Sequence, residues 1–148
     1  MISVNQNFKH ITNSGNSKRT IEDCGDFTGR IVGYEDISLP EYPSMKGKII
    51  IEVEGKEGVF NDIINFNDST EKDYKDSLGW LQRHVKSAMI SAGKQADYSQ
   101  EVSVDWCGTE IDRLVAEKAT VKFNQSLNEF VDDNGKVHKK LAITYLNH

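Results

Sequence analysis

The sequence predicts a mainly β fold, because strand-like and helical hydrophobic patterns follow one another in a definite order. Three strand-like stretches come first, one long amphipathic helix follows, and two more strand-like stretches come last. This order fits a five-stranded Greek-key barrel of the oligonucleotide-binding (OB) type, with one long helix between strands 3 and 4. The exposed strands and loops of such barrels commonly bind single-stranded nucleic acid or oligosaccharide, so the order also indicates a class of function.

The first strand is predicted from about Asp26 to Ile37, and the glycines within it indicate a bulge or a sharp bend. Residues 38–47 contain both prolines of the chain and are predicted to form an exposed loop around Tyr42. Glycines between the next two strands, and Asn-Gly between the last two, favour hairpin connections, the second with a loop longer than two residues. The remaining strands are predicted at residues 48–54, 59–66, 119–127 and 136–146.

The helix has clear signals at both ends. Thr70 to Asp73 approximates a capping box with Asp in place of Glu, and apolar residues then recur at three- and four-residue spacing as far as Ala92. Gly93 supplies a C-terminal stop. Between residues 94 and 117 the pattern is weaker, and only Thr109 to Val115 favours a second, short helix.

Charge and composition limit the classes of function that the chain can have. The formal net charge of −5 does not favour polyanion binding, but the acidic residues concentrate in the middle of the chain. Residues 1–20 carry three basic residues and no acid, so we interpret them as a flexible basic N-terminal arm. Residues 21–148 form the OB-like domain. The longest aliphatic run, Ile49 to Ile51, is far shorter than the ~20 residues that cross a bilayer, so we expect no membrane contact. The first residues have neither an apolar core nor a small-residue cleavage site, so we expect a cytoplasmic location.

No catalytic motif is present. The histidines lack partners at metal-ligand spacing and are expected to be solvated surface residues, and His84 lies among charged neighbours on the helix. The glycines match no nucleotide-binding pattern. Cys24 and Cys107 are far apart and are expected to be small buried residues. We therefore expect a protein that is not an enzyme and that needs no cofactor or metal.

Strand alternation predicts which side chains face outward. Residues expected to face the core are Ile49, Ile51, Val53, Phe60, Ile64, Phe66, Val121, Phe123 and Leu127. Residues expected to face outward are Lys48, Ile50, Glu52, Asn61, Ile63, Asn65, Lys122, Asn124 and Ser126. Proteins that bind single strands combine cations for the backbone with aromatic rings for base stacking. The candidates for nucleic-acid binding are Arg30, Tyr34, Tyr42, Lys46, Lys48, Lys122, Phe130, Lys136, Lys139 and Lys140.

Within this set, the two loop aromatics have a special place. The loops that hold Tyr42 and Phe130 flank the binding cleft of an OB barrel, so these two rings would stand opposite each other. The Lys-Lys pair at residues 139–140 has an alternative interpretation, because lysines on an edge strand also improve solubility and prevent edge-to-edge pairing.

Short motifs along residues 22–146 resemble a family of phage proteins catalogued as domain of unknown function 669. They are Gly25-Asp26-Phe27, Gly47-Lys48-Ile49, Leu81-Gln82-Arg83 through Ala92-Gly93, Leu114, Lys118-Ala119-Thr120-Val121 and Asn134-Gly135-Lys136. Members of that family are regarded as single-stranded DNA-binding proteins. The resemblance implies a role in phage or mobile-element DNA replication or recombination, in the cytoplasm of the host cell.

Two function classes remain open at this point. The first is a non-enzymatic single-stranded DNA-binding protein, with replication or recombination proteins as further partners and a homo-oligomer as one assembly state. The alternative is a phage or mobile-element protein-binding module that inhibits or recruits a host protein, which the acidic middle of the chain favours. A third hypothesis is an enzyme with an unfamiliar site.

Overall fold

Five strands form one antiparallel sheet in the computed structural model, which describes residues 19–38 and 45–147. In chain order the elements are β1 (Gly25–Asp36), β2 (Met45–Glu52), β3 (Phe60–Phe66), α1 (Glu71–Ser91), α2 (Val104–Ala116), β4 (Thr120–Val131) and β5 (Val137–Leu146). The mainly β prediction is therefore confirmed. The long helix is α1, and the second helix favoured at Thr109 to Val115 is longer than predicted: α2 has 13 residues and is capped by Ser103, whose side chain accepts a hydrogen bond from the Trp106 amide.

The strand order across the sheet is β3-β2-β1-β4-β5. The central strand β1 pairs with both β2 and β4, and its register with β2 shifts between Ile31 and Gly33, where the glycines predicted an irregularity. The two edge strands β3 and β5 approach each other: the Tyr145 hydroxyl donates to the Asp62 carboxylate at 2.6 Å. Among the described residues no backbone pairing joins β3 to β5, so a seam remains between these edges.

The core lies between one face of the sheet and the two helices. Phe27, Phe60 and Phe123 form an aromatic cluster there, with ring centroids 4.8–5.9 Å apart. Helix α1 begins where the sequence predicts, since the Thr70 hydroxyl accepts a hydrogen bond from the Asp73 amide at 3.0 Å. Its buried apolar side chains face the sheet and are Leu81, Val85, Ala88 and Met89. Neither helix within residues 19–38 and 45–147 is long and apolar enough to span a membrane.

Ile50, Leu127 and Cys24 differ from their predicted exposure. Ile50 was expected to face outward but is fully buried, opposite Gly33 and Asn61 in the middle of three paired strands. Thr20 accepts a hydrogen bond from the Asn61 side chain on that outer face, so the chain before β1 lies beside Ile50. Leu127 is 45% exposed rather than buried, because β4 extends past Gly25, where β1 begins. Cys24 is exposed, whereas Cys107 is buried as expected.

Candidate functional site

Strands β4 and β5 project beyond the rest of the sheet. The last residue of β4 that pairs with β1 is Gln125, whereas β4 and β5 remain paired as far as Val131 and Val137. We call residues 127–141 the hairpin ribbon. Its turn is held by the Asp132 carboxylate, which accepts hydrogen bonds from the backbone amides of Asn134 and Lys136 at 2.9 Å each. The ribbon therefore presents both of its faces beyond the core.

Phe130 lies on one face of the hairpin ribbon and is 52% exposed. Its ring stacks on His138 of the facing strand, with centroids 5.0 Å apart and an angle of 13° between the planes. His138 Nε2 is in turn 2.7 Å from the Asp132 carboxylate. Hydrogen bonds from His138 and from the Lys136 and Asn134 amides lower the pKa of Asp132, so the carboxylate that holds this turn is ionised. An exposed aromatic ring is thus supported on one side by its neighbour.

A concave surface lies at the seam between β3 and β5, where α1 covers the sheet edges. We call it the seam cleft, and its volume is about 620 Å³. Its lining comes from β3, α1, β4 and β5, and includes Asn65 on β3, Trp80, Arg83 and His84 on α1, and Asn128 and Lys140 on the hairpin ribbon. The cleft and the ribbon are therefore contiguous.

Asp62 and Tyr145 form the base of the seam cleft. The Asp62 side chain is 3% exposed, and its Oδ2 atom lies 2.6 Å from the Tyr145 hydroxyl and 2.7 Å from His84 Nε2. The Trp80 ring stacks on the His84 ring, with centroids 4.8 Å apart and 12° between the planes. One carboxylate thus connects α1, β3 and β5, and fixes the imidazole on which Trp80 lies.

The electrostatics of this cluster follow from its burial. Burial alone would lower the pKa of His84, but the charge of Asp62 and its hydrogen bond outweigh that effect and raise the pKa above its usual 6.5. Burial, followed by the same carboxylate, raises the pKa of Tyr145 well above its usual value. Tyr145 is therefore a neutral hydroxyl that donates to Asp62, and the imidazolium form of His84 is favoured.

The structure brings together four of the predicted binding residues. Phe130, Lys136, Lys139 and Lys140 all lie on the hairpin ribbon, although Lys139 is 3.8 Å from the Glu129 carboxylate. Lys122 lies on the same face of β4 as Phe130, eight residues away, which is about 27 Å along a strand.

The other predicted residues are scattered or unsuitable. Arg30 lies opposite Glu52, Lys46 is exposed near the start of β2, and Lys48 is 3.5 Å from Glu35. The prediction that Tyr34 binds nucleic acid is wrong. Tyr34 is fully buried, with its hydroxyl against Gly47, and cannot stack on a base. Tyr42 lies outside the described residues, and so does the predicted N-terminal arm as far as residue 18.

Sequence reasoning missed the seam cleft. The prediction that His84 is a solvated surface residue is wrong, because only 12% of its side chain is exposed. Two signals were available. Trp80 and His84 are four residues apart and therefore lie on the same helix face. The alternation that turns Phe60 and Ile64 inward also turns Asp62 inward, and a buried carboxylate requires partners.

Comparisons of the chain with protein-family models, with curated proteins and with solved structures found no match.

Proposed function

We propose that this chain is a non-enzymatic, OB-type single-stranded DNA-binding protein of a phage or mobile element, acting in DNA replication or recombination in the host cytoplasm. The observation that carries the proposal is the hairpin ribbon, which holds a half-exposed Phe130 beside Lys136 and Lys140. Stacking on aromatic rings and cations along the backbone are the two components of sequence-tolerant single-strand binding. The resemblance to domain of unknown function 669 supports the same role.

The topology agrees with this proposal. The order β3-β2-β1-β4-β5, with the helices between β3 and β4, is compatible with an OB barrel whose closure would lie between β3 and β5. The loop between β4 and β5 is one of the two that bind ligands in that fold. In such a barrel the hairpin ribbon would contact the nucleic-acid strand.

Fluorescence anisotropy with a labelled oligo-dT at low salt tests the proposal. We expect Phe130→Ala to weaken binding by about 1–3 kcal/mol, which is roughly 5- to 150-fold, because one base loses its stacking partner. Leu127→Ala is the matched control, since it removes an exposed apolar side chain from the opposite face of the same ribbon. It should leave the affinity unchanged.

Salt provides the second readout. Each phosphate contact contributes a slope of about −0.7 to log K against log salt for a single strand, so Lys136→Ala should make the slope less negative by about that amount. Absence of binding at micromolar protein and low salt, or binding that added salt does not weaken, would contradict the proposal.

One observation favours the protein-binding alternative. The face of the hairpin ribbon opposite Phe130 exposes Leu127 and Val131, and Val137 beside them is 54% exposed. A host protein that contacts this apolar face should be retained from a nuclease-treated lysate by the wild type and by Phe130→Ala, and lost with Val131→Ser. An empty lane for the wild type counts against this function.

A further inference from the structure

On the basis of the proposed single-stranded DNA binding, we infer that the seam cleft is a second base-stacking subsite in which Trp80 is the platform. The Trp80 side chain is 42% exposed and lines the cleft, while one side of its ring is occupied by the parallel ring of His84. A flat, partly exposed indole with a fixed support suits a nucleobase, since every base has a π-face.

The support beneath Trp80 is rigid. His84 is held at 2.7 Å by the Asp62 carboxylate, which also accepts the Tyr145 hydroxyl, so three elements fix the position of the imidazole. Trp80 and His84 are one turn apart on the same helix, which keeps the two rings in register. The platform therefore needs little ordering when a base binds, and rigid sites of this kind bind with a lower entropic cost.

The charge at the seam cleft fits a phosphate backbone. Asp62 is the only carboxylate among the described lining residues, and it is buried and already engaged by His84. Arg83 and Lys140, in contrast, are both exposed at the cleft. In a chain with a formal net charge of −5, this surface is locally cationic and can receive an anionic strand.

The cleft is also continuous with the hairpin ribbon. Lys140 pairs across the ribbon with Asn128, and both residues line the cleft. Phe130 lies two residues further along β4, on the same face as Asn128, so about 7 Å separates the two positions. Tyr145, which contacts the His84 ring that supports Trp80, faces the opposite side of β5 from Lys140. A single strand that stacks one base on Phe130 can thus pass over the Asn128 and Lys140 pair, cross the edge of β5 and place a later base on Trp80.

Fluorescence of Trp80 tests this subsite directly. The chain has two tryptophans, and the other one, Trp106, is partly buried on α2 away from the seam cleft. In a Trp106→Phe background the emission comes from Trp80 alone. Titration with oligo-dT should quench it, with saturation at the concentration at which anisotropy reports binding.

Affinity measurements separate this inference from the proposed function. We expect Trp80→Ala to weaken oligo-dT binding roughly 5- to 150-fold, and Trp106→Phe, the control, to leave it unchanged. Arg83→Ala removes an exposed side chain whose Nε donates to the Gly79 carbonyl within α1, and it should make the salt slope less negative by about 0.7 even if Trp80→Ala proves unstable.

Two results would overturn the subsite. Oligo-dT binding that leaves Trp80 fluorescence unchanged and is unaffected by Trp80→Ala and Arg83→Ala would refute it, while the proposed function would stand. Absence of any oligo-dT binding by the wild type would refute both.

Discussion

Replacing Asp62 with Asn should reverse the pH dependence that His84 gives to the free energy of unfolding. In the wild type the pKa of His84 is raised in the folded state, since the Asp62 charge and hydrogen bond outweigh burial. That stabilisation is fully present below about pH 6.5 and is lost as the pH rises through the folded-state pKa. In the Asn variant burial acts without the carboxylate and lowers the pKa. Stability should then be highest above about pH 6.5 and should decrease as the pH falls through the lowered value.

The loss of stability expected for Asp62→Asn follows from the geometry of the Asp62 and His84 pair. His84 Nε2 and Asp62 Oδ2 are 2.7 Å apart, and their side chains are 12% and 3% exposed. Two unit charges at this distance attract by about 6 kcal/mol at an effective dielectric constant of about 20, and the cost of desolvating them offsets part of this. Removal of one partner from a buried pair costs about 3–5 kcal/mol. Because Asn still accepts the Tyr145 hydroxyl, we expect about 3 kcal/mol at pH 6, and less as the pH rises.

Urea unfolding followed by circular dichroism between pH 5.5 and 8.5 measures this effect. With about 1–3 kcal/mol per molar urea, a 3 kcal/mol loss lowers the midpoint by roughly 1–3 M at pH 6. Asp132→Asn is the matched control, because it removes the same charge from the more exposed pair with His138, and its urea midpoint should depend less on pH than that of Asp62→Asn. NMR titration of the His84 ring measures the pKa of His84 directly. An Asp62→Asn protein in which that pKa stays above 6.5 would refute the reasoning.

Two further predictions concern packing and thiol accessibility. Gly47→Ala should lower the free energy of unfolding by about 1–3 kcal/mol, because the new methyl group overlaps the Tyr34 hydroxyl. Gly79→Ala, in open space within α1, should instead raise it by about 0.5–1 kcal/mol, and thermal melts of both variants check the opposite signs. A thiol reagent should modify only the exposed Cys24 in the native protein, because Cys107 is buried and its pKa is raised to about 12. Modification of both thiols before unfolding would contradict this.

The strands could be predicted because their signals are local. The turn between β2 and β3 contains Gly55 and Gly58, which have φ angles of +86° and +101°, a conformation that glycine adopts readily. The Thr70 cap of α1 is likewise formed within four residues. Exposure was less predictable. Tyr34 is buried because the neighbouring strand offers a glycine at position 47, and that close approach depends on the register of two strands.

The two parts of the candidate site differ in the same way. Phe130 lies next to a turn that its own sequence neighbours predict, so its exposure could be expected. The Asp62 cluster joins residues that are 22 and 83 positions apart in the chain. Strand alternation indicates that Asp62 points inward, and helical spacing places Trp80 and His84 on one face, but neither pattern identifies His84 and Tyr145 as the partners of Asp62.

Helix α1 shows why charged sequence neighbours were a misleading guide to His84. Arg83 and Lys86 beside it suggested a solvated face, yet Lys86 is 1% exposed and its ammonium donates to the backbone carbonyls of Asp97 and Gln100. His84 and Lys86, which flank the apolar stripe of α1, are therefore both covered. The seam between β3 and β5 covers His84, and the connection to α2 covers Lys86. Both have internal partners that satisfy them, as buried polar groups require. Arg83 directly precedes His84 in sequence, yet it stays exposed, so α1 places this cation at the surface of the seam cleft.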